Sequence, residues 1–93
     1  MKVVIRASAY DDLAKIVQWI AQDSPVNARS VATRILAAIE DRMALFPNLG
    51  RAGRVEGTRE WVVAGLPYVI VYLADDAHDA VVVLGIFHGA QNR

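Results

Sequence analysis

The chain has no cysteine, so neither a disulfide framework nor thiolate-based metal or redox chemistry is open to it. It lacks a surplus of charge as well: ten basic residues are balanced by ten acidic ones. No whole-molecule field draws it onto nucleic acid, and any phosphate recognition has to be local. Apolar runs stop well short of the roughly 20 residues that a membrane span needs. The start Met1-Lys2-Val3-Val4-Ile5-Arg6 shows no long apolar segment with a small-residue cleavage site, so a cytoplasmic protein without membrane contact is expected. With two histidines, no serine in a glycine elbow and no glycine-rich phosphate loop of Walker or dinucleotide type, nucleophilic triads and nucleotide folds have nothing to rest on. His78 lies among Asp75, Asp76 and Asp79, but in a turn, where aspartates serve turn chemistry. No metal and no other cofactor is expected.

What is present is apolar. Of 93 residues, 55% are hydrophobic and mean hydropathy is +0.28, rich for a single short domain spanning residues 1–93. Most strand-forming sequence sits between Gly57 and His88. Thr58 to Val63, Tyr68 to Leu73 and Ala80 to Phe87 are three β-branched and aromatic runs. Ala64-Gly65-Leu66-Pro67 and Asp75 to Asp79 separate them, which predicts an antiparallel meander. The second and third runs are apolar on both parities: Tyr68, Ile70 and Tyr72 oppose Val69, Val71 and Leu73, and Val82, Leu84 and Ile86 oppose Val81, Val83 and Phe87. A sheet with one wet face alternates apolar with polar, so this one is expected to be covered on both sides.

Lys2 to Arg6 reads as a short edge strand between cations. Ser8 is placed to cap a first helix with Asp11 and Asp12 in its opening turn, and Leu13, Ile16, Val17 and Ile20 form its buried stripe with Trp19 beside it. Asp23-Ser24-Pro25 ends this helix and starts a second, whose apolar face runs through Ala28, Val31, Ala32, Ile35, Leu36, Ile39 and Met43. Phe46 to Gly50 terminates it, and Arg51 to Gly57 reads as a loop. The predicted class is α+β in the order β-α-α-β-β-β, with a helical hairpin packed on one face of an antiparallel sheet. Two helices cover one face, so the other is expected to form a concave site or to dock another chain.

Arg51, Arg54 and Arg59 against Glu56 make the one net basic cluster, suited to phosphate or equally to a solvated loop. His88 leaves the last strand where a side chain reaches a cleft rim, either as a proton-transfer group or as a strand-end histidine bonded to backbone. Metal-free RNA cleavage through the ribose 2′-hydroxyl needs a base, an acid and cations over the phosphorane. His88 or Glu56 could move protons, and the three arginines could hold phosphate.

Ser8-Ala9-Tyr10-Asp11-Asp12-Leu13, Phe46-Pro47-Asn48-Leu49-Gly50-Arg51, Gly57-Thr58-Arg59-Glu60, Pro67 to Tyr72 and His88 to Arg93 follow one another in an order and spacing that resembles the RelE/ParE superfamily of type II toxin–antitoxin toxins. The resemblance implies a growth-inhibiting toxin, often of plasmid-stabilisation modules, neutralised by a cognate antitoxin that lays a helix or strand over its exposed surfaces. DNA would be met only through that antitoxin. It implies antitoxin contact at Trp61, Tyr68, Ile70 and Tyr72, and target or phosphate contact at Arg51, Arg54, Arg59 and Arg93. The superfamily divides between ribosome-dependent mRNA cleavage and poisoning of DNA gyrase. Arg59 and His88 match the nuclease branch in position and would be its catalytic residues. However, the central strand has no basic residue ahead of Val71-Tyr72, and lysine is confined to Lys2 and Lys15. Both departures favour a non-enzymatic gyrase inhibitor. A non-toxic relic that keeps only antitoxin binding is the other alternative.

Overall fold

The computed structural model describes residues 1–90. It contains β1 (Lys2–Ile5), α1 (Ala7–Ala21), α2 (Pro25–Ala38), β2 (Arg51–Ala52), β3 (Arg59–Val62), β4 (Tyr68–Asp75) and β5 (Ala80–His88). The strands form one sheet in the order β1-β5-β4-β3-β2. The α+β class and the helical hairpin on one sheet face agree with expectation; the sheet itself differs in two respects. It is mixed, not antiparallel, because β1 runs parallel to β5. These two strands come from opposite ends of the chain, so no hairpin ties their directions. In addition, Arg51 and Ala52, expected in a loop, pair with Glu60 and Arg59 as the edge strand β2. A two-residue strand between Gly50 and Gly53 has no periodicity to read.

The helix starts divide in the same way. Ser24 Oγ accepts from Asn27 N at 3.2 Å with Pro25 in the first helical position, as its sequence demands. Ser8 does not cap α1, which begins at Ala7 after an extended Arg6 with no side-chain cap. Its hydroxyl is used elsewhere. The expected apolar stripe of α2 is continuous through Met43, but the α-helix stops at Ala38 and a single π turn, Ile39–Met43, completes it. Ile35, Ile39 and Met43 are fully buried along this face, against Ile70, Tyr72, Val81 and Val83 of the sheet.

The loop after α2 is held by a tyrosine from the middle of the sheet. Tyr72 is fully buried, and its hydroxyl accepts from Gly50 N at 2.8 Å and donates to Pro47 O at 3.0 Å. Both loop groups thus meet the requirement that buried backbone polar atoms be paired. A Cβ at Gly50 would lie 2.9 Å from that hydroxyl and 2.9 Å from Glu60 O, which explains a glycine there. Tyr72→Phe is therefore expected to lower unfolding stability by about 1–3 kcal/mol, the cost of orphaning a buried donor. Tyr10→Phe, at an exposed position, should change it by less than about 0.5 kcal/mol; urea unfolding of both variants checks the contrast.

Candidate functional site

Pairing of β1 with β5 covers only Ala80 to Val83, so among the described residues no strand lies on the outer side of the second half of β5. That half begins with a bulge. Val71 is in register with Gly85 and Tyr72 with Val83, leaving Leu84 as an extra residue without a partner. The groups that the bulge and the open edge release are taken up by the start of α1. Arg6 N donates to Val83 O at 3.0 Å, Ser8 Oγ donates to Leu84 O at 2.6 Å, and Ile86 N donates to Asp12 Oδ2 at 2.9 Å. Unpaired edge groups invite another strand, and these three bonds occupy them.

The bulge reverses the facing of everything after it. Val81 and Val83 point under the helices, and so does Ile86, which plain alternation from Val82 had assigned to the opposite face. Val82 and Phe87 turn to the other side. His88 shares the side of Ile86 and lies in register with Tyr68.

Because α1 is pinned to β5 only through its first turns, the remainder of the helix overhangs the open edge. The result is a groove of about 1030 Å³, walled by Ile16, Trp19 and Ile20 of α1 and by Leu84, Phe87 and His88 of β5. It continues round the edge to Val71 and Val55 beyond the sheet, with Asp12, Lys15 and Asp23 also lining it. Trp19 is 72% exposed in its wall. The volume matches the upper end of small-molecule sites, about 1,000 Å³, yet the groove is open rather than enclosed, which suits a chain segment. Trp19 and Asp12 are the site residues that sequence reading did not assign. A tryptophan one step off an apolar stripe was the available signal for the first; nothing local marks the second.

His88 is exposed at the end of this groove. Its ring stands edge-on to Tyr68, with centroids 5.5 Å apart at 87°, and Ala90 N donates to its Nδ1 at 3.0 Å. In the neutral ring the proton is therefore on Nε2. Arg59 is elsewhere. It pairs with Tyr72 whereas His88 pairs with Tyr68, four residues along β4, or roughly 13 Å at strand rise. Its guanidinium donates to Gly50 O at 2.8 Å and Asn48 O at 3.4 Å, so it holds the loop with Tyr72.

Arg51 Nη2 meets Glu60 Oε1 at 3.3 Å, and Arg54 N donates to Glu60 Oε2 at 3.2 Å. Glu60 is buried, and these two bonds are partners that a buried carboxylate requires. The side chains of Arg51 and Arg54 themselves remain exposed, while Arg93 lies outside the described residues. Of the residues expected at an antitoxin surface, Ile70 and Tyr72 are fully buried, and Tyr68, 7% exposed, reaches the surface in the wall of the groove. Trp61 is half-buried beside Arg34 and Arg42 in a smaller cleft. Tyr68, Ile70 and Tyr72 are on the parity the helices cover, and two apolar parities look alike in sequence.

In the β4–β5 turn, Asp75 Oδ2 lies 2.7 Å from His78 Nδ1, and this bond holds the Asp75 carboxyl below the usual carboxylate range. Among the described residues no group of three or more His, Cys, Asp or Glu side chains could hold a metal ion. No described helix is long and apolar enough to cross a membrane.

A helical hairpin packed on a mixed five-stranded sheet, with an open groove between α1 and the half of β5 that β1 leaves uncovered, defines a small α+β class of protein. A family model described as the ParE toxin of the type II toxin–antitoxin system parDE matches residues 3–93. The chain belongs to the ParE toxin family. A Sinorhizobium fredii (strain NBRC 101917 / NGR234) protein named "Putative toxin Y4kP" is 43% identical over 60 residues, covering 64% of this chain. The match spans 62% of that relative's length. Among solved structures, the chromosomal ParDE system of P. aeruginosa aligns at a TM-score of 0.79 and 19% identity over 95% of both chains. The RelBE2 toxin–antitoxin complex of Mycobacterium tuberculosis aligns at 0.69 and 23% identity, over 94% of this chain and 95% of that one. At these identities the two structures bear on fold alone.

Two outcomes follow from the geometry. Asp12→Ala should cost about 1–3 kcal/mol in urea unfolding by orphaning Ile86 N, while Asp11→Ala, exposed on α1 and with no such bond, should be near neutral. The depressed Asp75 carboxyl contributes stability that is present above the unfolded carboxylate value and lost as pH falls through the lower folded one. Carboxyl NMR titration should place the Asp75 midpoint below its unfolded value, and His78→Ala should raise it toward that value.

Proposed function

We propose that the chain is the toxin of a type II toxin–antitoxin module, that it poisons DNA gyrase, and that a cognate antitoxin holds it inactive. Membership of the ParE family supports the module. The single observation that carries the choice of target is the separation of Arg59 from His88. A metal-free ribonuclease needs cations converging on the phosphate beside its acid and base, since stabilising the charge that develops there commonly supplies most of the rate acceleration. Here Arg59 bonds to the carbonyls of Asn48 and Gly50, and Arg51 bonds to Glu60, away from His88. The central strand adds no cation of its own.

The antitoxin is assigned to the groove under α1. It offers Trp19, Ile16, Ile20 and Phe87 to a partner segment, along the half of β5 that β1 does not cover. Aromatic residues in a groove are the usual anchors of such segments.

Purified toxin is expected to inhibit gyrase supercoiling and to leave ribosome-bound mRNA intact, with His88→Ala no less potent than wild type. Codon-specific mRNA cuts that disappear in His88→Ala would assign the RelE-like activity instead. Induction without any effect on growth would leave only the antitoxin-binding relic.

A further inference from the structure

The loop leaving α2 puts three large apolar side chains into solvent within five residues: Leu45 at 67%, Phe46 at 55% and Leu49 at 37% exposure. A mobile loop would show such residues without consequence. This one is fastened along its length. Phe46 N donates to Arg42 O at 2.7 Å, the Met1 amine donates to Ala44 O at 3.2 Å, and the Tyr72 hydroxyl and Arg59 guanidinium bond Pro47, Asn48 and Gly50 from the sheet. A backbone held by buried groups presents its apolar side chains with little further ordering cost on binding. Arg42 and Arg51, both exposed, flank the apolar triad in sequence, and the stretch 51–59 has three arginines against one glutamate in a chain of net charge zero.

We infer that Leu45, Phe46 and Leu49, with Arg42 and Arg51 at the border, form a preorganised docking surface for a partner protein that offers an apolar recess with acidic residues at its rim. This inference rests on the toxin reading, and the partner is then the poisoned target, not the antitoxin. None of these five residues lines the groove under α1, so the two surfaces are separate. A nucleic acid partner fits the patch less well, because two leucines give bases nothing to stack upon.

The test is induced expression of wild type, of Leu45→Ala/Phe46→Ala/Leu49→Ala and of Val26→Ala, each also purified for thermal unfolding. The triple variant should need at least tenfold more toxin for the same growth arrest while its melting temperature stays close to that of wild type. Val26→Ala, which trims a comparably exposed apolar side chain of α2 that lines neither cleft, should arrest growth as wild type does. Should the triple variant be destabilised, Arg42→Glu serves in its place and is expected to weaken arrest by reversing the charge at the border. Arrest by the triple variant or Arg42→Glu at wild-type dose overturns the docking surface alone, whereas a wild type that leaves growth unchanged removes the toxin reading and this inference together. Binding of wild type to a duplex DNA oligonucleotide that is lost in the triple variant would also overturn the assignment to a protein partner.

Discussion

The structure depends on how one extra residue in β5 is accommodated. Leu84 breaks the register with β4, and an unsatisfied bulge at an open sheet edge would expose backbone groups at considerable cost. The first turns of α1 meet that cost with Arg6 N, Ser8 Oγ and Asp12 Oδ2. Three bonds thus join a helix near the N-terminus to the last strand, 74 to 77 residues away along the chain. The same contact decides which side chains of β5 face the helices, and it leaves the rest of α1 to overhang the strand. Core, groove and the position of His88 are consequences of one junction.

A second junction works from the other edge of the sheet. Tyr72, fully buried, and Arg59 reach outward to the backbone of the loop between α2 and β2, while Glu60 collects Arg51 and the amide of Arg54. Cations that look available in sequence are in part structural. Arg59 is the clearest case, since its guanidinium binds two carbonyl groups. That use of a cation is the physical ground for preferring a toxin that acts by contact over one that cleaves phosphodiester bonds. It also gives the loop the rigidity on which a separate docking surface depends.

The opposite face of the sheet is less bare than two helices would suggest. Val69, Val71 and Val82 are each at most 7% exposed although they lie outside the main core, whereas Val4 and Val62 stay more than 40% exposed toward the edges. Burial on that side follows in part from Glu60, whose bonds draw the 51–54 stretch toward it. Apolar surface available to partners is thus gathered at the borders of the sheet and under α1.

By itself the sequence determined the elements: three β-branched runs with turn residues between them, a Ser24-Pro25 helix start, and apolar stripes at helical spacing, all of which are local signals. It also determined the family, through short motifs in order along nearly the whole chain. Only the tertiary structure decided the parallel β1–β5 pairing, the two-residue β2, the bulge at Leu84 and the partners of Ser8, Asp12, Arg59 and Glu60. Each of these joins residues with no common local pattern, and a side chain's hydrogen-bond partner is chosen by what folding brings beside it. For the same reason the buried face could not be told from the open one: when both parities of a strand are apolar, only the helices that pack against it distinguish them.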